Sequence, residues 1–160
     1  MLRTRRAAPV LLSLVALALG TAGCGAGVGN KDYVPAGGVD ATNGRIIVDD
    51  VWVDGPAGVA AHGSVGLRLY LANDSRHDDA LVGVSTPVAR HTRLVLHGRP
   101  VHRMPIPAWG AVNLEWPSRG SEVRLVDLTH ALRPGQWFPV TFQFENSASI
   151  IMHITAGPLG

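Results

Sequence analysis

The chain has 160 residues, 46% of them hydrophobic and 16% charged, with a formal charge of +2 and one cysteine. A single cysteine excludes an intrachain disulfide framework and any cysteine-rich zinc or iron–sulfur centre, and the length is that of one domain. The positive charge is no footprint of nucleic acid: Arg3, Arg5 and Arg6 all lie in the first 23 residues, and without them 11 Lys plus Arg face 12 Asp plus Glu.

Residues 1–23 have the three parts of an export signal: a charged start, an apolar stretch over 10–19, and the small residues Gly20, Thr21, Ala22 and Gly23 ahead of Cys24. The apolar stretch is too short for a comfortable membrane span. Small residues directly before a lone cysteine resemble a bacterial lipobox, in which the cysteine is diacylated and becomes the new N-terminus, although Thr21 stands where leucine is usual. The expectation is therefore a lipid on Cys24 and a protein held at the outer face of the cytoplasmic membrane. The alternative is an ordinary secretory signal with a chance cysteine, which would leave an exposed thiol outside the cell. Residues 24–43 are rich in glycine and poor in large apolar side chains, so they read as a flexible tether. The folded domain is expected over 44–157, long enough for one modest core.

Within that domain the hydrophobic period is two. Val65, Leu67, Leu69 and Leu71 alternate with Gly66, Arg68, Tyr70 and Ala72, and Phe138, Val140, Phe142 and Phe144 alternate with Pro139, Thr141, Gln143 and Glu145. Further strands are expected over 46–53, 80–85, 93–97, 111–116, 122–128 and 149–154, separated by Gly, Pro, Asn and Asp. About eight strands without a helix of useful length predict an all-β, antiparallel sandwich.

No phosphate-binding glycine loop, Gly-x-Ser-x-Gly elbow or HExxH pair is present, so an enzyme is not expected. Asp49 and Asp50 are neighbours on a strand and should face opposite ways, and 74–79 reads as a solvated hairpin turn. The remaining chemistry is imidazole and thioether. His97, His102 and Met104 lie within the segment HGRPVHRMP, a soft donor set suited to copper and above all to Cu(I). If 101–104 is extended, His102 and Met104 project to one side, and a short loop could gather all three. Met152, between Ile150 and Ile154, reads as core, with His153 on the opposite face. His62, His77, His91 and His130 read as surface polar groups, and the tryptophans as packing residues, although Trp109 could shield a bound metal.

The segments DDALVGVSTPVARHTRLVLHG, IPAWGAVNLEW and DLTHALRPGQWFPVTFQFE, in that order, resemble the periplasmic copper chaperones known as PCu(A)C, and in particular their actinobacterial lipoprotein branch. The resemblance spans residues 46–154 and implies a cupredoxin-like, Greek-key β-sandwich. It also implies a Cu(I) site built from a histidine, a methionine some ten residues later, and a His-x-Met pair on the strand after a glycine-rich turn. His97 matches the first position, and Met104 matches either the second, across a shorter loop, or the apolar residue before the Ile-Pro-Ala turn. At the third, in PSRGSEVRLVDL, Glu122 and Arg124 stand where histidine and methionine are expected, and neither is a soft ligand. His102 is the local substitute.

Two functions follow as expectations. The first is a lipid-anchored copper chaperone that binds Cu(I) through His97, Met104 and His102 and delivers it to a partner such as an oxidase assembly factor. The second is a metal-free, divergent member serving as a cell-envelope interaction module.

Overall fold

A computed structural model describes residues 39–55, 58–115 and 120–157. The export signal, Cys24 and most of the expected tether lie outside the described residues.

Eleven strands, and no helix, occur among the described residues: β1 (Val39–Thr42), β2 (Ile46–Asp54), β3 (Ser64–Asn73), β4 (Asp79–Ser85), β5 (Ala89–Leu96), β6 (Arg99–Val101), β7 (Met104–Ile106), β8 (Ala111–Asn113), β9 (Glu122–Leu128), β10 (Trp137–Phe144) and β11 (Ile150–Thr155). All eight expected strands are present. The three additions are short: β1, at the end of the stretch read as tether, and β6 and β7, which split the segment carrying His97, His102 and Met104. Three- and four-residue strands leave too little alternation to be read from sequence.

Two antiparallel sheets face each other. The larger runs β1-β2-β3-β9-β5-β6, with β8 pairing the far end of β3, and the smaller runs β11-β10-β4-β7. Alternation fixes what each contributes to the core. Leu67, Leu69 and Leu71 of β3 and Val123 and Leu125 of β9 meet Leu81, Phe138, Val140, Phe142, Met152 and Ile154 from the smaller sheet, all of them buried. Met152 is thus packed in the core and His153 exposed, as its strand's period requires.

β2 departs from simple alternation. Its pairing with β3 shifts register between Asp49 and Trp52, and Asp50 has φ +52°. One inserted residue changes the phase of the strand, so that Val51 and Val53 return to the core already occupied by Ile46 and Val48. Asp50 is consequently buried, not turned to solvent, and its N–H donates to Asp40 Oδ1 at 3.0 Å. The stretch expected as a wholly solvated turn also ends on a buried acid. Asp79 accepts from the N–H of Ala80 at 2.7 Å and of Asn146 at 2.9 Å. Burial raises its pKa, but the Ser147 hydroxyl and the backbone N–H groups of Asn146 and Ala80 outweigh that effect and hold the carboxyl below its usual range.

Asp49 behaves oppositely. A hydrogen bond with the Asp40 carboxyl, then burial, then the charge of Asp40 push its pKa up to about 6. Because that value lies above the unfolded one, the native chain binds more protons between roughly pH 4 and 6, and stability falls as pH rises through this window. Urea unfolding at pH 5 and pH 7.5 should therefore show about 1 kcal/mol more stability at the lower pH in the parent than in Asp49→Asn. Equal pH dependence in the two proteins would contradict the shared proton.

Candidate functional site

β5 and β6 are joined by His97 and Gly98, with Leu96 paired to Arg99. A two-residue hairpin of type I′ has positive φ at both central positions, and the values here are +51° and +77°. Glycine meets that demand freely, and histidine is among the side chains that tolerate it best. The tip is fastened to the turn preceding β9: the His97 N–H donates to Ser121 Oγ at 3.0 Å, and the Gly98 N–H to the Gly120 carbonyl at 2.6 Å. Gly120, at φ +64°, is placed so that a Cβ would lie 3.0 Å from the Gly98 nitrogen. The close approach of the two turns thus depends on a missing side chain.

From this tip β6 runs back along β5, and Val101 comes to lie opposite Leu94. Leu94 is three residues before His97, about 10 Å along the strand. His102 is exposed at a bend, where Arg103 makes a two-pronged ion pair with Glu145 on the smaller sheet. Met104 then begins β7 opposite Leu81, with 0% exposure. The expected common side for His102 and Met104 is not formed, because the bend at 102–103 breaks the extended run. His97 and His102 are both exposed, separated along the edge of the larger sheet, while the Met104 thioether is part of the core. Among the described residues no three His, Cys, Asp or Glu side chains gather in a group able to hold a metal ion.

β9 lies between β3 and β5, and its outward side chains enter the neighbourhood of the His97 tip. Glu122 is opposite Val95, and Arg124 is flanked by Arg93 and Gly66. Arg124 Nη2 and Glu122 Oε1 form an ion pair at 2.8 Å. Beside them lies a second pair, between Arg68 of β3 and Asp54 of β2. These four side chains, with Ser64, Gly66, Gly120 and Ser121, line a cavity of about 320 Å³ on the outer face of the larger sheet. Gly66 gives room to the Glu122 carboxylate, since a Cβ there would be 3.3 Å from Oε2.

Arg68 was hidden in the sequence as one more polar residue of an alternating strand. It faces away from the core, yet its side chain is only 5% exposed, and Nη1 is buried without a hydrogen-bond partner. The legible signal is its setting: an arginine between Leu67 and Leu69, next to Gly66, in the middle of a strand. The other histidines have ordinary partners where partners are seen. His62 Nδ1 lies 2.8 Å from Asp127 Oδ1, and His130 is held by Thr129 and Gln136. Trp109 is 68% exposed in the turn after β7, at φ +53°.

Residues 46–156 match the model of the family described as "Putative lipoprotein LpqE-like". No curated protein sequence matches the chain. In three dimensions it is similar to the copper-bound PCuAC domain from PmoF2, at 21% identity and TM-score 0.64, over 74% of this chain and 97% of that one. It is likewise similar to the apo PCuAC domain from PmoF1, at 20% identity and TM-score 0.63, over 74% and 98%. Against Cu(I)-bound DR1885 from Deinococcus radiodurans the identity is 22% and the TM-score 0.52, over 64% and 76%. The sandwich therefore has the cupredoxin-like fold of PCuAC domains.

The buried guanidinium of Arg68 depends on the Asp54 carboxylate, itself 47% exposed. Removing the acid leaves a desolvated charge without its counter-ion, whereas an exposed pair would cost little. Asp54→Ala should lower the unfolding free energy by about 2 kcal/mol in denaturant titration, after allowance for the half-exposed acid. Glu122→Ala, which frees a half-exposed Arg124, should cost well under half of that.

Proposed function

This chain belongs to the LpqE-like family, and we propose that it is an exported, lipid-anchored protein of the copper-chaperone type, which binds Cu(I) through histidine and methionine and passes it by ligand exchange to a copper-accepting partner such as an oxidase assembly factor. The observation that carries this reading is the position of His97. It is exposed on a hairpin tip fastened to the start of β9, where the sequence resemblance sets the family's first ligand beside its His-x-Met pair. Copper is cargo here. Imidazole suits a reduced ion that must be surrendered again, because Cu(I) accepts two or three soft donors and exchanges them readily. His102 and Met104 are the further soft donors of the same segment, and Met104 can serve only if its thioether leaves the core. Trp109, exposed beyond β7, gives a partner an aromatic surface to meet.

A second reading has its own observation. Glu122 and Arg124, which stand where the sequence resemblance expects histidine and methionine, form an ion pair, and a fixed cation repels another. On this reading the protein is a metal-free interaction module of the cell envelope.

Competition of the full-length chain with a Cu(I) chelator under reducing conditions separates the two. Copper handling predicts about one Cu(I) per chain and an affinity at least about tenfold weaker in His97→Ala. Met104→Leu keeps core volume, so a loss of copper with unchanged melting temperature would assign the thioether as a ligand. If the parent takes up no copper while Glu122→His/Arg124→Met does, the metal-free reading stands.

Lipid attachment at Cys24 is tested separately by fractionation. Cys24→Ser should move from the membrane to the soluble fraction, and unaltered membrane association would reject the anchor.

A further inference from the structure

The unpartnered nitrogen of Arg68 makes no hydrogen bond that would contribute to the fold. An arginine on the outward side of a central strand normally extends to water, where all five N–H donors are satisfied. Here the side chain is 5% exposed, one donor goes to Asp54, and Nη1 meets no acceptor. Leaving a charged donor desolvated and unbonded is costly, and such a cost persists most readily where something else supplies the acceptor.

The surroundings define what that acceptor is. The cavity of about 320 Å³ has room for a handful of non-hydrogen atoms, and Gly66 helps to keep it open, since a Cβ there would meet the Glu122 and Asp54 side chains that line it. Its charged lining is two guanidinium groups, Arg68 and Arg124, and two carboxylates, Asp54 and Glu122, each paired with one of the arginines. A planar carboxylate is the acceptor that matches guanidinium geometry. The lining is neutral overall, which disfavours a dianion such as phosphate beside two fixed acids. A molecule bearing an amine next to its carboxylate presents a donor to Asp54 and Glu122 as well.

We propose that this cavity binds the carboxylate of a small zwitterion, an α-amino acid or the like, through Arg68 and Arg124, with Asp54 and Glu122 facing its ammonium group. The lining does not include His97, but it includes Ser121, which accepts the His97 N–H. Occupancy is therefore felt at the hairpin tip.

The test titrates the isotope-labelled full-length chain, without copper, with glycine, acetate and inorganic phosphate in parallel. Glycine should give saturable amide shifts at Gly66, Ser121 and His97. Acetate should bind more weakly at the same residues, and phosphate weaker still. Arg124→Gln changes a half-exposed side chain, so the fold is retained while glycine affinity drops about tenfold. Arg68→Lys, which keeps the charge but not the fork, should abolish saturation if it folds. Absence of saturable shifts with glycine, or shifts equal in the parent and Arg124→Gln, overturns the proposal. Tighter binding of phosphate than of glycine overturns the assigned ligand class.

Discussion

Everything distinctive about this sandwich follows from one pairing constraint: β9 is inserted between β3 and β5, so its two faces must satisfy two different neighbourhoods. Inward, Val123 and Leu125 join Leu67 and Leu69 to close the core. Outward, Glu122 and Arg124 are set against Gly66 on one side and Arg93 and Val95 on the other. A strand with a period of two cannot change one face without keeping the other in register. The core leucines thus fix the location of the outward charges, and the hairpin tip at His97 is tied to the turn that leads into the same strand. Core, charged cavity and candidate ligand are parts of one register.

That coupling explains which parts of the fold could be read from the chain and which could not. Long alternating runs such as Leu67-Arg68-Leu69 or Phe138 to Phe144 declare their faces, and all eight expected strands were found. The bulge at Asp50 was not legible, because the cue is conformational: an aspartate at positive φ, stabilised by the Asp40 carboxylate, repairs the phase between Val48 and Val51. In the sequence the same residues read as two acids on opposite faces. Short β6 and β7 were missed for want of length, and with them the bend that sends His102 to solvent and Met104 inward. Arg68 illustrates a different limit. It shares an outward face with Asp54 of β2 and with Glu122 and Arg124 of β9, residues that a local window around Arg68 does not contain.

The electrostatics of this corner bear directly on what it can hold. Cu(I) is a soft monocation whose affinity for imidazole and thioether comes from polarisable lone pairs, not from net charge. A carboxylate adds little to that, and a guanidinium a few ångströms away opposes it, less steeply where water screens the field. His97 stands at the edge of the charged cavity, in contact with it through Ser121, and is itself exposed. The hairpin tip thus presents an exposed imidazole beside a strand whose outward side chains form an ion pair.

The location of the methionine carries the argument one step further. In a close-packed core a thioether is a flexible apolar filler, and Met104 has Leu81 opposite it and no exposed surface. Bringing its sulfur to a surface ion would open a void between the sheets, at a cost of several kcal/mol if nothing refilled it. Bound copper would have to repay that cost, whereas His102, already exposed, would require only that the bend held by Arg103 and Glu145 give way. That ion pair is exposed and screened, so it is the weaker of the two restraints. Of the three soft donors in this segment, His97 and His102 are exposed and Met104 alone is buried, so only the methionine would have to leave the core to meet an ion at the surface.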